Sequence, residues 1–290
     1  MTISPLPHEI SIIIPTYKEA ISVVEETIGE IEKAFLDTQW KYEIIIINDG
    51  SGVGFDYSTL TQKKHVHILE HSQNKGYGAA IKTGIQHSHA PWIGITDADG
   101  TYPNWAFPQL SEHADDADMI VGTRKLSDVP LIRQFPKFVL NRYASFLANE
   151  TIVDLNSGMR LFKREMAMRF WSLYPDGFSL TSTLTMAATG NGYTIIDVPI
   201  EYYKRQGKSS IHPIADTYRF FKIVGRLGLY FNPLRIFGPI AGACMALGVT
   251  KGFRDYVVVD HIGNLSISLM LAGLQIYLLG LLAELISKRY

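Results

Sequence analysis

Residues 92–103 read W-I-G-I-T-D-A-D-G-T-Y-P, an apolar β-type run that stops abruptly at two carboxylates, Asp97 and Asp99. Alternate residues of a strand face the same way, so carboxylates two apart at its frayed end can point at one ion. A hard divalent cation, Mg²⁺ or Mn²⁺, suits the pair, because it takes carboxylate oxygens on one side and leaves positions open for phosphate oxygens on the other. Taken alone, a D-x-D pair is more often a solvated turn. Its company along the chain decides.

Residues 10–14, 42–47, 66–69 and 92–96 are short runs rich in Ile and Val, each too short for a helix, and they read as buried strands. Between the first two, residues 22–35 place Val23, Val24, Ile28, Ile31 and Phe35 at helical spacing with glutamates on the other side. Repetition of this β-α-β pattern implies a mostly parallel, Rossmann-like sheet with helices on both faces. Ligands of such sheets bind beyond the carboxyl ends of the strands. The first strand ends at Pro15-Thr16-Tyr17-Lys18-Glu19, the second at Asn48-Asp49-Gly50-Ser51, the fourth at Asp97-Ala98-Asp99. Parallel order brings all three to one crevice. There Asp49 can accept from a base N–H or a ribose hydroxyl, with the Tyr17 ring beside it, or it can be an ordinary turn residue. Asn74-Lys75-Gly76-Tyr77-Gly78 precedes a helix over 79–86 whose first amides can meet an anion; its G-x-G lacks the third glycine of a dinucleotide site.

Composition narrows the class. The chain has 290 residues, 47% of them apolar, enough for a sizeable core. A net charge of −1 from 27 basic and 28 acidic residues carries no global basic field, which argues against nucleic acid as a partner. One cysteine, Cys244, excludes an internal disulfide and a cysteine-based zinc site. No basic start followed by an apolar block opens the chain, so its first part is expected to stay in the cytosol. The pairs His65/His67 and His87/His89 lack acidic or cysteine partners at zinc-site spacing and read as surface residues.

Near Pro233 the composition changes. Residues 265–286 are apolar over more than the length needed to cross a bilayer. Residues 236–250, extendable to 234–253, make the return pass. Arg226 and Arg235 before the hairpin and Lys288 and Arg289 after it put the positive charge on the cytoplasmic side, with Lys251 and Arg254 in the connecting loop. Gly238, Gly242 and Ala246, spaced by four, permit close packing within the hairpin or in a homo-oligomer. Upstream, residues 217–231 set Phe220, Val224, Leu227 and Phe231 on one stripe with Arg219, Lys222 and Arg226 on another, as in a helix lying in the headgroup region of the lipid bilayer. A second such helix, with Pro136 as its first residue, groups Phe135, Val139, Tyr143 and Phe146 with Lys137 nearly opposite. Packing on the sheet is the alternative for both.

The motifs P-T-Y-K-E, N-D-G-S, N-K-G-Y-G-A-A and D-A-D, followed by V-G-T-R at 121–124, N-S-G-M-R-L-F at 156–162 and K-R-Q-G-K-S-S at 204–210, resemble glycosyltransferase family 2. The later motifs are similar to its polyprenyl-phosphate branch, which includes dolichyl-phosphate mannose synthases and bacterial lipid-carrier glucosyltransferases. The resemblance implies a GT-A domain over 1–210, a juxtamembrane helix over 211–233 and two transmembrane helices over 234–290. It also implies an inverting transfer from a nucleoside-diphosphate sugar to a polyprenyl phosphate, a metal at Asp97 and Asp99, and a donor site at Pro15, Tyr17, Glu19, Asp49 and Lys75. One departure is Gly100-Thr101, where many members carry Leu-Gln after D-A-D and the glutamine assists the metal. The other is the absence of a second lysine often found near Ser210.

Residue chemistry supports a lipid-phosphate acceptor independently. A hydroxyl acceptor needs a placed general base, yet residues 177–188 are hydroxyl-rich and uncharged where an acidic pair would stand. A phosphate monoester is already anionic and needs cations to hold it. Arg124, with Arg133 or Lys137, is the expected cradle. Arg205, Lys208 and Ser209, in a glycine-containing loop, would close over the donor diphosphate and neutralise the leaving group. Transfer to a sugar or lipid hydroxyl, or binding of a nucleotide sugar without turnover, are the competing readings. A processive synthase is disfavoured, since no Q-x-x-R-W sequence is present.

Overall fold

The computed structural model describes residues 9–63, 65–125, 127, 131–177, 179–203 and 213–287. β1 (Glu9–Thr16), α1 (Ile21–Phe35), β2 (Lys41–Asn48), β3 (Val66–Glu70), α2 (Tyr77–His87) and β4 (Trp92–Ile95) form the first half. α3 (Phe107–Ser111), β5 (Met119–Arg124), α4 (Leu131–Ala148), β6 (Arg160–Lys163), α5 (Arg164–Arg169), α6 (Leu180–Gly190) and β7 (Ile195–Ile200) follow. The expected strands and the helices after the first and third of them stand within two residues of their expected ends.

The seven strands lie in the order β3-β2-β1-β4-β6-β5-β7. Neighbours pair in parallel except β6, which runs antiparallel to both β4 and β5. Both faces of the sheet are covered, which is why β1 and β2 read as unbroken isoleucine runs. Ile12, Ile14, Ile44 and Ile46 pack under α1 and α3 with Ile28, Ile31 and Phe107. Ile13, Ile45, Ile93 and Ile95 pack on the other face with Ile81, Ile85, Phe162 and Leu184. From β1 the chain proceeds to β2 on one side, while β4 lies on β1's other side. Between their carboxyl ends opens the crevice where open α/β sheets take ligands.

A third cluster joins α4, α6 and α7 (Pro213–Phe231), and it corrects two expectations. The stripe of α7 faces protein, not headgroups: Val224 and Leu227 are buried against Leu140, Ala144, Leu147 and Met186, with Phe220 and Phe231 packed alongside. Arg219, Lys222 and Arg226 remain exposed. On α4 the buried face is Leu140, Ala144, Leu147 and Ala148. Tyr143 stacks on Phe221 at 5.7 Å, but Phe135, Phe138 and Phe146 point outward, at 75%, 53% and 48% exposure. This helix is apolar on two sides, and periodicity alone picks the wrong one to bury. It also begins at Leu131, so Pro136 lies inside it rather than at its start.

α8 (Leu234–Val259) and α9 (Asn264–Ser287) are long and apolar enough to cross a membrane, and form a hairpin. α8 is longer than expected. Lys251 and Arg254 belong to the helix and not to a loop, and Asp255 accepts from Lys251 Nζ at 2.8 Å and from Ser266 Oγ at 2.9 Å. Asp260, at φ 58°, turns the chain. The hairpin closes through Gly248, Gly273 and Gly280: an added Cβ would stand 2.8 Å from Met270 Cγ, 2.9 Å from the Ala241 carbonyl oxygen and 2.8 Å from Phe237 Cβ respectively. Gly238 and Gly242 meet nothing within 4 Å, so the expected row is not the one that packs the hairpin. Lys288 and Arg289 lie outside the described residues.

Candidate active site

The β1 and β2 ends are knitted together. Asp49 N donates to the Thr16 carbonyl at 2.8 Å, Lys18 N to Ser51 Oγ at 2.9 Å, and the Tyr57 hydroxyl to the Glu19 carbonyl at 2.7 Å. Pro15 and Glu19 are half-buried there, and Tyr17 is exposed with Lys18 Nζ 5.1 Å from its ring centre. Asp49 is buried, and both its oxygens meet the chain's own donors. Oδ1 accepts from Lys75 N at 2.9 Å and pairs with His71 Nδ1 at 2.7 Å, while Oδ2 accepts from Gly76 N at 2.8 Å. The carboxylate therefore braces residues 75–76 from beneath, a use different from the expected contact with a nucleoside. Gly50, at φ +66°, has to be glycine: a Cβ would stand 2.3 Å from the Gln73 carbonyl carbon. The Lys75 side chain is exposed.

At the β4 end, Asp99 Oδ1 accepts from Thr101 N at 3.1 Å and from Thr101 Oγ1 at 2.5 Å. Thr101, standing where the family often places glutamine, orients a metal-site carboxylate instead. Its carbonyl accepts from Tyr203 N at 2.9 Å, tying the end of β7 to the motif. Asp97 is half-buried and hydrogen-bonded to Tyr77. A Cβ on Gly158 would lie 2.8 Å from Asp97 Oδ2, so only glycine lets the loop before β6 approach so closely. Among the described residues no cluster of three acidic, histidine or cysteine side chains forms a closed metal cage. The donor set, two carboxylates on one turn, fits a hard divalent ion that draws its other ligands from a diphosphate and water.

Across the crevice, two expected cations meet on an aspartate the sequence reading overlooked. Arg124 donates through Nε at 2.8 Å and Nη2 at 2.9 Å to Asp154, and Lys137 Nζ lies 2.9 Å from the same carboxylate. Burial pushes the Asp154 carboxyl up, but Arg124 and then Lys137 outweigh it and hold it down at about 2. Tyr202 and Tyr102 flank the guanidinium at 5.0 and 6.0 Å. The Tyr102 hydroxyl accepts from Gly158 N at 2.7 Å, so the cation cluster and the D-x-D turn share one wall.

Behind that wall Arg160 is fully buried on β6 and donates to Ser157 O, to Thr181 O at 3.0 Å and to Thr185 Oγ1 at 2.9 Å. Burial lowers its pKa to about 10, so it stays charged at neutral pH. It thus acts as a strut rather than a phosphate ligand. The hydroxyl-rich stretch after Gly177 is α6, whose threonines bond back to carbonyls four residues earlier and whose Ser182 donates to Asn156. Arg133 sits in the first turn of α4, but its side chain lies outside the described residues, as do Arg205, Lys208 and Ser209. Asp154 had one signal in the sequence: it is the sole acidic residue in 151–163, just ahead of N-S-G-M-R.

Residues 11–171 match the family described as Glycosyl transferase family 2, and residues 232–288 match the GtrB C-terminal hairpin. The chain belongs to glycosyl transferase family 2, and it is a glycosyltransferase of the GT-A fold. Among curated relatives, the glycosyltransferase AglJ of Haloferax volcanii is 28% identical, covering 97% of this chain and 95% of its own. A dolichyl-phosphate hexose transferase of the same organism is 28% identical over 71% of this chain and 88% of its own. A dolichyl-phosphate beta-glucosyltransferase of Dictyostelium discoideum is 27% identical over 75% and 73%. In fold, the chain is similar to glucosyl-3-phosphoglycerate synthase from Mycobacterium tuberculosis, solved with Mn²⁺, uridine diphosphate and phosphoglyceric acid. The TM-score is 0.61 at 14% identity, over 76% of this chain and 78% of that one.

Proposed function

We propose that the protein moves one sugar from a nucleoside-diphosphate sugar to a polyprenyl phosphate, with inversion, at the cytoplasmic face of a membrane. The observation that carries the acceptor reading is the Arg124–Asp154–Lys137 cluster. Two cations share one anion there, leaving a net positive charge beside the D-x-D turn. A hydroxyl acceptor would need a base to take its proton, and α6, where the sequence places the nearest candidates, carries no titratable side chain. A lipid phosphate needs neither a base nor a proton transfer. Relatives named for dolichyl-phosphate and polyprenol substrates support the same acceptor.

In this reading Pro15, Tyr17 and Glu19 line the nucleoside side, and Asp49 serves it through the Lys75–Gly76 turn it braces. Asp97 and Asp99 hold Mg²⁺ or Mn²⁺, which when bound stabilises charge on the diphosphate. Arg124 and Lys137, joined by Arg133, hold the lipid phosphate and aim one of its oxygens at the anomeric carbon. As that oxygen–carbon bond forms, the bond from carbon to the diphosphate oxygen breaks on the opposite face, and the electron pair leaves with the nucleotide. Arg205, Lys208 and Ser209 neutralise it. Residues 1–210 are the catalytic unit, 211–233 the juxtamembrane helix and 234–290 the anchor, with Arg226 and Arg235 on the cytoplasmic side.

The test is to incubate the purified full-length protein and Mn²⁺ with a panel of nucleotide sugars and either polyprenyl phosphate or the matching polyprenol, reading lipid mass. A glycosylated lipid should form only from the phosphate. Equal yield from the polyprenol would move the assignment to a hydroxyl acceptor.

A further inference from the structure

The two aspartates of the D-A-D turn are steadied from different places. Asp99 is held by Thr101, two residues along the same turn. Asp97 is held by Tyr77, twenty residues upstream, on the first turn of α2. We propose that Tyr77 is the positioning residue of Asp97: its hydroxyl donates to the carboxylate and fixes which oxygen Asp97 presents to a divalent ion in the crevice.

The start of α2 is held from two sides, which makes the tyrosine a fixed donor. From below, Asp49 takes the Lys75 and Gly76 amides, His71 braces Asp49, and the far nitrogen of His71 lies 2.9 Å from Thr83 Oγ1 back on α2. From the side, Ala79 N donates to the Asp176 carbonyl at 3.0 Å and Lys82 pairs with the Asp176 carboxylate. A Cβ on Gly78 would stand 2.2 Å from the Pro175 carbonyl oxygen, and one on Gly76 2.5 Å from that of Asp176. The helix start cannot slide toward this loop, and its tyrosine ring packs against the core beneath. Gly158 closes in on Asp97 Oδ2 from the opposite side. A ligating carboxylate whose orientation is set by a hydrogen bond binds metal more tightly, and loss of such a partner costs about 10–100-fold in affinity.

The inference rests on the proposal that Asp97 is a metal ligand, and the experiment separates the two. Full-length protein in detergent is titrated with Mn²⁺ alone, free ion being read by electron paramagnetic resonance, for wild type, Tyr77→Phe, Asp97→Asn and the double variant. Tyr77→Phe should weaken Mn²⁺ binding about tenfold with its thermal midpoint kept, since the ring still fills its place. The double variant should bind no more weakly than Asp97→Asn alone, because the hydroxyl acts only through that carboxylate. Wild-type affinity in Asp97→Asn would overturn the metal-ligand proposal and this inference with it. Weakened binding in Asp97→Asn but wild-type binding in Tyr77→Phe would overturn the role of Tyr77 alone. A lowered midpoint with unchanged affinity would likewise reduce Tyr77 to a packing residue.

Discussion

The crevice edge of the sheet and the α8–α9 hairpin are held together by opposite means. At the edge, Asp49, Asp99 and Asp154 are each fixed by two or more directional contacts. In the hairpin the helices approach through Gly248, Gly273 and Gly280, and the Lys251–Asp255–Ser266 clasp is confined to its far end. Directional contacts set angles but fail when one atom changes. Close packing of small residues sets distance, tolerates many apolar exchanges and fails when volume is added. Variants at the edge should therefore cost activity while the protein stays in the membrane, and variants of the hairpin should do the reverse.

The sharpest way to break that contrast is at the D-x-D turn. Asp99→Ala removes a carboxylate aimed into the crevice and should lower transfer by on the order of 10³-fold or more, with sedimentation into the membrane fraction unchanged. Steady-state transfer to polyprenyl phosphate reads the loss, and unchanged turnover would remove the metal role from this turn.

Asp154→Ala comes next, because it leaves Arg124 and Lys137 half-buried and facing each other. Loss of one partner from a buried pair costs about 3–5 kcal/mol, which denaturant unfolding of the detergent-solubilised protein would register alongside lost acceptor binding. The sign of the pH dependence follows from the same carboxylate. Its folded pKa, about 2, lies below the unfolded value. Its contribution is thus complete above pH ~4 and is lost as pH falls toward 2. The wild type should lose stability through that window and Asp154→Ala should lose less.

Gly158→Ala is a finer probe. Gly158 is not among the positive-φ glycines, so alanine strains no backbone there. Its methyl would nonetheless stand 2.8 Å from Asp97 Oδ2 and 3.1 Å from Tyr102 Cε2. The carboxylate is the group that can turn away, so transfer should fall by roughly tenfold with little change in thermal midpoint. Gly50→Ala makes the control: at φ +66° and against the Gln73 backbone it should impair folding outright.

What was legible in the sequence divides along the same line. The parallel half of the sheet, α1, α2 and the hairpin stand out because each carries a local period, and D-A-D because it interrupts one. Asp154 escaped because it meets Arg124 thirty residues away in sequence, a distance no local pattern spans. β6 escaped because four residues, Arg-Leu-Phe-Lys, show no period, and its antiparallel course depends on partners on both sides. The buried face of α7 was visible as a stripe, but its partner was misjudged. A stripe records that a face is apolar and leaves open whether lipid or protein covers it.

The smallest expected effect on chemistry is also the one that tests the hairpin half of the contrast. Gly273 sits where a Cβ would come within 2.9 Å of the Ala241 carbonyl oxygen and 3.0 Å of Met245 N, both backbone atoms of the opposing helix. Gly273→Leu must push α8 and α9 apart, whereas the same change at Gly242, which meets nothing within 4 Å, should leave the hairpin closed. Neither position touches the crevice. With a short-chain, water-soluble polyprenyl phosphate, both variants should turn over within about twofold of wild type. With a long-chain carrier in bilayers, Gly273→Leu alone should lose activity and detergent stability, because packing of small residues is what holds the two spans. Equal losses at Gly242 and Gly273 would mean that the outward face of α8 is also a packed interface, occupied in the bilayer by something other than lipid.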